Sequence, residues 1–153
     1  MAHDFYRFPE LTNAQMGLYY FESPHKQITE NFMAWCVNVH DGDTIRVTCD
    51  FRNFAFPIRF LEINAPELKD RGGFDSRNFL RNMILHRQVY IKIDPHNRVD
   101  KWGRLLAWVI FEGNIMNNEM VVSGHATPFD KRNEGDIDSL DKLIHEVEQT
   151  WQV

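Results

Sequence analysis

Hydrophobic and polar residues alternate over two neighbouring segments in the first half of the chain, which predicts a β-hairpin. The alternating apolar positions are Trp35, Val37, Val39, Ile45, Val47 and Cys49. Asp41-Gly42 lies between the two segments, and this dipeptide is favoured in tight hairpin turns because glycine tolerates a positive φ. We therefore expect one strand on each side of this turn.

Three more strands are predicted further along the chain. Residues 57–63 are expected to form the third strand, 89–93 the fourth and 105–111 the fifth. The fifth segment is apolar at both odd and even positions, so we expect a central strand that is buried on both faces.

Apolar residues at intervals of three and four predict helices between and after these strands. Asp75 or Ser76 is expected to cap the first helix, and residues 116–122 predict a short helix that ends at Gly124. Residues 137–151 predict a long amphipathic C-terminal helix. The stripe of the first helix is Phe79, Leu80, Met83 and Ile84, and that of the last is Ile137, Leu140, Ile144, Val147 and Trp151.

Residues 1–31 precede this pattern and are predicted to form an N-terminal extension. Thr12 and Asn13 are suitable N-caps for a short helix, which the Ser23-Pro24 pair should end because the residue before a proline avoids helical geometry. The extension is rich in Phe and Tyr. Aromatic density of this kind argues against disorder, so we expect the extension to pack on its own domain or on a partner.

The order of the predicted elements indicates the fold class. Three strands, a helix, two strands and further helix is the order of a five-stranded barrel of the OB type. We predict a mainly β protein of the α+β class. Residues 32–153 are expected to form a five-stranded OB-fold β-barrel with about three helices, preceded by the helical extension of residues 1–31.

Composition and charge narrow the functional classes. The chain has 153 residues, 43% of them hydrophobic and 25% charged, and a net charge of −5. This charge excludes a broadly basic nucleic-acid coat but leaves room for a local basic groove. No apolar run approaches the roughly 20 residues that a membrane span requires. The first residues lack a basic stretch followed by an apolar one, so we expect no membrane partner and a cytoplasmic location.

Cys36 and Cys49 are the cysteines of the chain. They lie at similar distances from the hairpin turn, which predicts that they are cross-strand neighbours. Two cysteines are too few for a disulfide scaffold, so buried free thiols are the expected state. A disulfide or a metal site is the alternative.

The hairpin turn Asp41-Gly42-Asp43-Thr44 is the first candidate for chemistry. It brings two carboxylates close together at the mouth of the hairpin, where like charges repel unless a cation or hydrogen bonds offset them. A hard metal such as Ca²⁺ is one solution. The alternative is ordinary turn chemistry, in which Asp43 bonds its own backbone.

Arg59 and the turn Asn64-Ala65-Pro66-Glu67 form the second candidate. Arg59 lies on an otherwise apolar strand face, where its guanidinium must meet an anion. The proline of the turn favours an extended backbone before it, so the Ala65 carbonyl can point outward as a ligand. Glu67 could orient or deprotonate water. The alternative is an ordinary Arg–Glu ion pair beside a proline turn.

The third candidate is Asp100-Lys101-Trp102-Gly103-Arg104, which opens the fifth strand. The planar fork of arginine suits phosphate, and a tryptophan can stack on a base or pack on a sugar. A solvated hairpin is the alternative interpretation, in which the lysine stem lies along apolar surface with its charged end in water.

These three motifs, in this order on a barrel-like pattern, resemble the staphylococcal nuclease (thermonuclease) family from about Met33 to the C-terminal helix. The resemblance implies a Ca²⁺-dependent nuclease, or one that uses another divalent cation. Its expected substrate is single-stranded or frayed DNA, with RNA as a further candidate. Residues 1–31 fall outside the resemblance.

The family pattern implies a role for each matching residue. Asp43 is implied as a direct Ca²⁺ ligand with Asp41 behind it, and Asn64 and the Ala65 carbonyl complete the implied protein ligands. Glu67 is implied as the general base, or as the group that positions the attacking water near the metal.

The remaining implied residues face the substrate. Arg59 and Arg104 match the arginines that contact the reacting phosphate, and Lys101 and Trp102 match the pair that holds a terminal phosphate of the nucleotide. Phe129 is the aromatic residue that this chain offers where the family has tyrosines.

Two departures support a competing hypothesis, a non-catalytic module of the same fold that binds nucleic acid or protein. Asn64 stands where the family usually has aspartate, and the net charge is negative. Asparagine removes one formal charge, so weaker or altered metal binding is expected. We expect a monomer, with a dimer through the extension or the C-terminal helix as the alternative.

Overall fold

The computed structural model describes residues 3–129. The strands are β1 Phe32–Asp41, β2 Thr44–Cys49, β3 Arg52–Phe60, β4 Ile63–Asn64, β5 Gln88–Lys92, β6 Leu105–Phe111, β7 Asn114–Ile115 and β8 Thr127–Pro128. The helices are α1 Asn13–Tyr19, α2 Gly73–Ile84 and α3 Met116–Val122. The helix predicted at 137–151 lies outside the described residues.

The long strands form a closed barrel, which confirms the predicted OB-type fold. They are hydrogen-bonded in the order β3-β2-β1-β5-β6, and a parallel pairing between β3 and β6 closes the sheet on itself. Among the described strands, β7 pairs with the end of β6. Closure of the barrel leaves the inward side chains of each strand buried and every second residue facing outward.

The core fills the barrel interior and extends beneath α2 and α3. Ile45 and Val47 of β2 and Ile58 of β3 are fully buried there. A second apolar cluster lies around Leu106 and Trp108 on the other face of β6. β6 is therefore buried on both faces, as its continuous apolar sequence predicts. No helix among the described residues has the length and apolar character needed to cross a bilayer.

Two predicted boundaries are wrong, and backbone geometry explains both. The third strand runs from Arg52 to Phe60 rather than over 57–63, because Glu62 has a φ of 66° that interrupts the extended chain. α2 begins at Gly73 with Gly72 as its N-cap, not at Asp75 or Ser76. A Cβ atom at residue 73 would lie 2.0 Å from the carbonyl oxygen of Glu67, so the tight approach of these two segments requires glycine.

The two cysteines are free thiols, but they are not cross-strand neighbours as predicted. Cys36 pairs with Val47, and Cys49 pairs with Arg52 on the next hairpin. Two register shifts in β1, between Val39 and Asp41 and between Cys36 and Asn38, move the partner of Cys36 by two residues from the count along the sequence. Burial raises the pKa of the Cys36 thiol to about 11, which makes it an unreactive core residue.

The N-terminal segment, residues 3–31, packs against the barrel. α1 begins with the predicted Thr12 cap, which forms a capping box with Gln15. Leu11 and Ile28 are 0% and 2% exposed, so the segment contributes to the buried interior. The segment is therefore an integral layer of the structure that covers the start of β3 and the loop before β6.

Candidate active site

The turn between β1 and β2 holds two nearly buried carboxylates, as predicted. Asp41 and Asp43 are 9% and 6% exposed. The backbone N–H of Asp43 donates to Oδ1 of Asp41 at 3.1 Å, and the Thr44 hydroxyl donates to Oδ1 of Asp43 at 3.0 Å. Burial and the neighbouring Asp43 carboxyl raise the pKa of Asp41 to about 6. The turn thus concentrates negative charge where little water reaches it.

The Asp43 carboxylate contacts both Arg59 and the Ala65 segment. Its Oδ2 accepts the backbone N–H of Ala65 at 2.8 Å and lies 3.6 Å from Nη2 of Arg59. Asp43 is therefore an anion next to Arg59. Glu67, the glutamate of the proline turn, lies beside Lys69 instead. The contact with Ala65 places the Asn64–Ala65 peptide beside the carboxylates.

Gly42 allows this close packing. A Cβ atom at residue 42 would lie 1.9 Å from the Ser76 hydroxyl and 2.8 Å from the Ala65 Cβ. Only a residue without a side chain lets the carboxylate turn approach α2 and the Ala65 segment together.

Glu67 lies at the rim of the site. Its side chain is 67% exposed and its Oε2 is 3.4 Å from Nζ of Lys69. Glu67 lines a cavity of about 740 Å³ together with Asn64 and Ala65, on one side, and His125 and Thr127 on the other. The cavity is large enough for a nucleotide-sized ligand, and Glu67 is the carboxylate of the predicted set that faces open solvent there.

Arg104 is held by its own loop. Its Nε donates to Oδ2 of Asp100 at 2.7 Å, and Oδ1 of Asp100 accepts the backbone N–H groups of Trp102 and Arg104, each at 2.9 Å. Within residues 3–129 the two terminal guanidinium nitrogens have no acceptor. The side chain is therefore oriented from behind, with its outer edge available for a phosphate.

Strand register places Arg59 and Arg104 next to the same pair of residues. Ile58 pairs with Leu105 across the parallel β3–β6 contact, and both are fully buried. Since successive side chains alternate between faces, the residues on either side of this pair point outward. Arg59 follows Ile58 in β3, and Arg104 is the residue before β6, so this register places both arginines next to the Ile58–Leu105 pair. The Arg59 side chain is 8% exposed and the Arg104 side chain 28% exposed.

The predicted nucleotide-binding residues surround these arginines. Arg59 lies 6.0 Å from the centre of the Phe129 ring, and Arg104 lies 5.2 Å from the Trp102 ring. Lys101 is 4.4 Å from the same Trp102 ring, which is 58% exposed. Phe129 and Trp102 thus flank the arginine pair with aromatic faces.

The donor set fits a hard cation in its chemistry. Asp41, Asp43, Asn64 and the Ala65 carbonyl can supply oxygen ligands, which Ca²⁺ prefers. Within residues 3–129 there is no cluster of three His, Cys, Asp or Glu side chains. A cation here would therefore depend on amide and carbonyl oxygens and on water as well as on the carboxylates.

Two residues of this region, Asp100 and Arg46, were assigned no role in the sequence analysis. Asp100 orients Arg104, and a carboxylate four residues before an arginine across a glycine turn was the available indication. Arg46 lies on the same outer face as Arg59, because β2 pairs with β3 so that Thr44 is opposite Arg59 and Arg46 is opposite Pro57. Nothing in the linear sequence links Arg46 to the site.

The chain is similar in sequence to curated endonucleases. The chain is 30% identical over 92 residues to the SPbeta prophage-derived endonuclease YokF of Bacillus subtilis (strain 168), covering 56% of this chain and 30% of that protein. It is 34% identical over 98 residues to an uncharacterized endonuclease of Escherichia coli O157:H7, covering 63% of this chain and 61% of that protein. The matched region spans less than two thirds of either relative.

A family model described as staphylococcal nuclease homologue matches residues 57–150, which is more than half of the chain. The match includes Arg59, the Asn64–Glu67 turn and the Asp100–Arg104 loop. Together with the OB-type barrel, it shows that the protein belongs to the staphylococcal nuclease family.

Proposed function

We propose that the protein is a metal-dependent nuclease that hydrolyses phosphodiester bonds in single-stranded or frayed DNA, with RNA as a second candidate substrate. The observation that carries the proposal is the position of two arginines next to the paired residues of β3 and β6: the buried Arg59 guanidinium lies 3.6 Å from Asp43 of the carboxylate turn, and the Arg104 guanidinium is held through its Nε by Asp100. Endonuclease relatives and family membership support the same reaction class.

The proposal gives each of these residues a role. The guanidinium groups of Arg59 and Arg104 bind the non-bridging oxygens of the scissile phosphate and stabilise the charge that grows there. Glu67 accepts a proton from the attacking water as its oxygen bonds to phosphorus. The bond from phosphorus to the leaving oxygen breaks, and that oxygen takes up a proton.

Ca²⁺ or another divalent cation would be held by Asp43, Asn64 and the Ala65 carbonyl, with Asp41 behind Asp43 and Glu67 contacting it through water. When bound, such a cation polarises the phosphoryl oxygen and lowers the pKa of water. Lys101, Trp102 and Phe129 would hold the nucleotides next to the scissile bond, through charge and base stacking.

The direct test is hydrolysis of a labelled single-stranded oligonucleotide, DNA or RNA, with Ca²⁺, with Mg²⁺ and with a chelator. We expect cleavage that requires the cation, and a fall in kcat of about 10²–10⁴-fold in Glu67→Gln because the general base is lost. Glu30→Gln, an exposed glutamate outside the site, is the matched control. Cleavage that persists in chelator, or that Glu67→Gln leaves intact, would contradict the proposed mechanism.

Asn64→Asp tests the metal ligands separately. The substitution adds one negative charge to the donor set, and Ca²⁺ affinity follows ligand charge. We therefore expect a lower Kd for Ca²⁺ by isothermal titration calorimetry, with Asn53→Asp on the exposed outer end of β3 as the control. An unchanged or higher Kd would remove Asn64 from the proposed ligand set.

A non-catalytic module that binds nucleic acid or protein is the second candidate. Glu67 faces Lys69 rather than the other carboxylates, which favours this alternative. The same assay separates the two functions, since a binding module would retain oligonucleotides without shortening them under any cation condition.

A further inference from the structure

A second pocket lies on the outer side of the barrel, away from the carboxylate turn. It has a volume of about 720 Å³ and lies between Phe5 and Tyr6 of the N-terminal segment and Arg46 and Phe54 of the β2–β3 hairpin, with His25 at its base. None of these residues has a role in the proposed catalytic site. The pocket exists only because residues 3–31 pack against the barrel.

Aromatic side chains in edge-on contact line the pocket, and part of this aromatic surface is exposed. His25 packs edge-on against Phe54 with ring centres 5.1 Å apart, and Phe5 packs edge-on against His25 at 6.3 Å. Tyr6 is 97% exposed at the mouth. An exposed tyrosine beside ordered aromatic rings is the type of surface on which unpaired bases stack.

The N-terminal segment is anchored, so the pocket is formed before any ligand binds. The Gln27 side chain joins the end of the segment to residues 9–11, accepting the Leu11 N–H at 2.6 Å and donating to the Pro9 carbonyl at 2.8 Å. Near the pocket, Oδ1 of Asp4 accepts the Tyr6 N–H at 3.1 Å, which fixes the turn that carries the tyrosine. Pre-formed aromatic surface binds with a smaller loss of conformational entropy.

The pocket is continuous with the catalytic face. Arg46, at the edge of the pocket, is opposite Pro57 of β3. Arg59 lies two residues after Pro57 on β3 and on the same outer face. Nη2 of Arg46 donates to the Ala55 carbonyl at 3.0 Å, and both residues line the pocket, so the cationic group is held at the pocket edge. Ala55 lies four residues from Arg59, about 13 Å along a strand. OB folds that bind single strands contact about 4–16 nucleotides, so this distance lies within one footprint.

We propose that this pocket is an additional subsite for unpaired bases of the substrate strand, a few nucleotides from the scissile phosphate, with Arg46 binding the phosphate between them. The proposal rests on the proposed function, because it extends the same strand along the same face. Arg46 supplies positive charge for the backbone, and the ring of Tyr6 with its aromatic neighbours supplies the stacking surface. Residues 3–31 would thus affect how long a strand the protein binds and which base sequences it accepts, and not the chemical step.

The test combines protein and substrate changes. Fluorescence anisotropy with a labelled deoxythymidine oligonucleotide, in chelator so that the strand stays intact, is measured for the wild type, Tyr6→Ala and Arg46→Ala, and is repeated with one abasic residue moved stepwise along the strand. We expect Tyr6→Ala to raise Kd by roughly 5- to 150-fold, the range for loss of one stacked base. One abasic position should weaken the wild type and leave Tyr6→Ala almost unaffected, which a merely structural role would not produce.

Phe21→Ala is the matched control, because Phe21 is an equally exposed aromatic of the same segment that does not line the pocket. Arg46→Ala should lower the dependence of Kd on salt, as expected when one phosphate contact is lost. If every abasic position has the same effect in the wild type and Tyr6→Ala, the subsite is wrong. Base-specific coupling without any cleavage would support the subsite and contradict the nuclease proposal, so the two failures are distinguishable.

Discussion

Arg104→Ala is expected to lower kcat/KM for oligonucleotide cleavage by about 10³–10⁵-fold, the range observed when a phosphoryl-transfer enzyme lacks its key arginine. The guanidinium of Arg104 is held through its Nε by Asp100, which leaves the two terminal nitrogens for the phosphate. A lysine cannot reproduce this forked geometry, so Arg104→Lys should recover only part of the loss. Initial rates over a range of substrate concentrations measure both variants.

Arg87→Ala is the control for Arg104→Ala, because Arg87 is an exposed arginine before β5, away from the site. Circular dichroism and thermal unfolding of each variant exclude loss of the fold as the cause. Arg104→Ala with a kcat/KM within 10-fold of the wild type would show that Arg104 does not contact the reacting phosphate. The proposed function, which depends on this pair of guanidinium groups, would then be wrong.

Glu10→Ala is expected to lower the free energy of unfolding by about 3–5 kcal/mol, the cost of leaving buried charge without its partner. Glu10 is 1% exposed, with Oε1 2.5 Å from Nη2 of Arg52 and Oε2 3.5 Å from Nη2 of Arg98. Removal of this carboxylate takes the negative charge of Glu10 away from two buried guanidinium groups. Burial already lowers the pKa of Arg98, which shows that its charged form is disfavoured there.

Urea unfolding followed by circular dichroism measures this effect. Glu22→Ala is the control, since Glu22 is an exposed glutamate of the same segment. If Glu10→Ala lowers the free energy of unfolding by less than about 1 kcal/mol, the ion pairs of Glu10 are as weak as surface salt bridges. That result would contradict a buried network. The expected loss would show that residues 3–31 are coupled to β3 and to the loop before β6, and not a removable appendage.

The fold could be predicted largely because its strands and helices have local periodicity. The alternation around Asp41-Gly42 predicted β1 and β2, the continuous apolar run predicted β6 over residues 105–111, and Thr12 predicted the start of α1. The wrong boundaries fall at Glu62 and Gly72, both with positive φ. Whether the backbone adopts a positive φ at such a position depends on packing against distant segments, so the local sequence pattern does not predict it.

The candidate site was predicted by motif more than by physical pattern. The residues of the three motifs were identified from their order along the chain, and the structure brings Asp43, Arg59 and Ala65 into contact. Strand pairing places Arg104, like Arg59, next to the Ile58–Leu105 pair. Glu67 does not approach the carboxylate turn in the same way, because its side chain is exposed and next to Lys69.

The sequence by itself determined the barrel, the capped N-terminal helix and the residue types available for phosphate chemistry, because these depend on side chains close together in the chain. The tertiary structure alone decided that Asp43 neutralises Arg59, that Glu10 joins Arg52 and Arg98, and that Arg46 shares a face with Arg59. Each of these contacts depends on strand register and barrel closure. Register is set by how all the strands bury their apolar faces together, and no single segment of sequence contains that information.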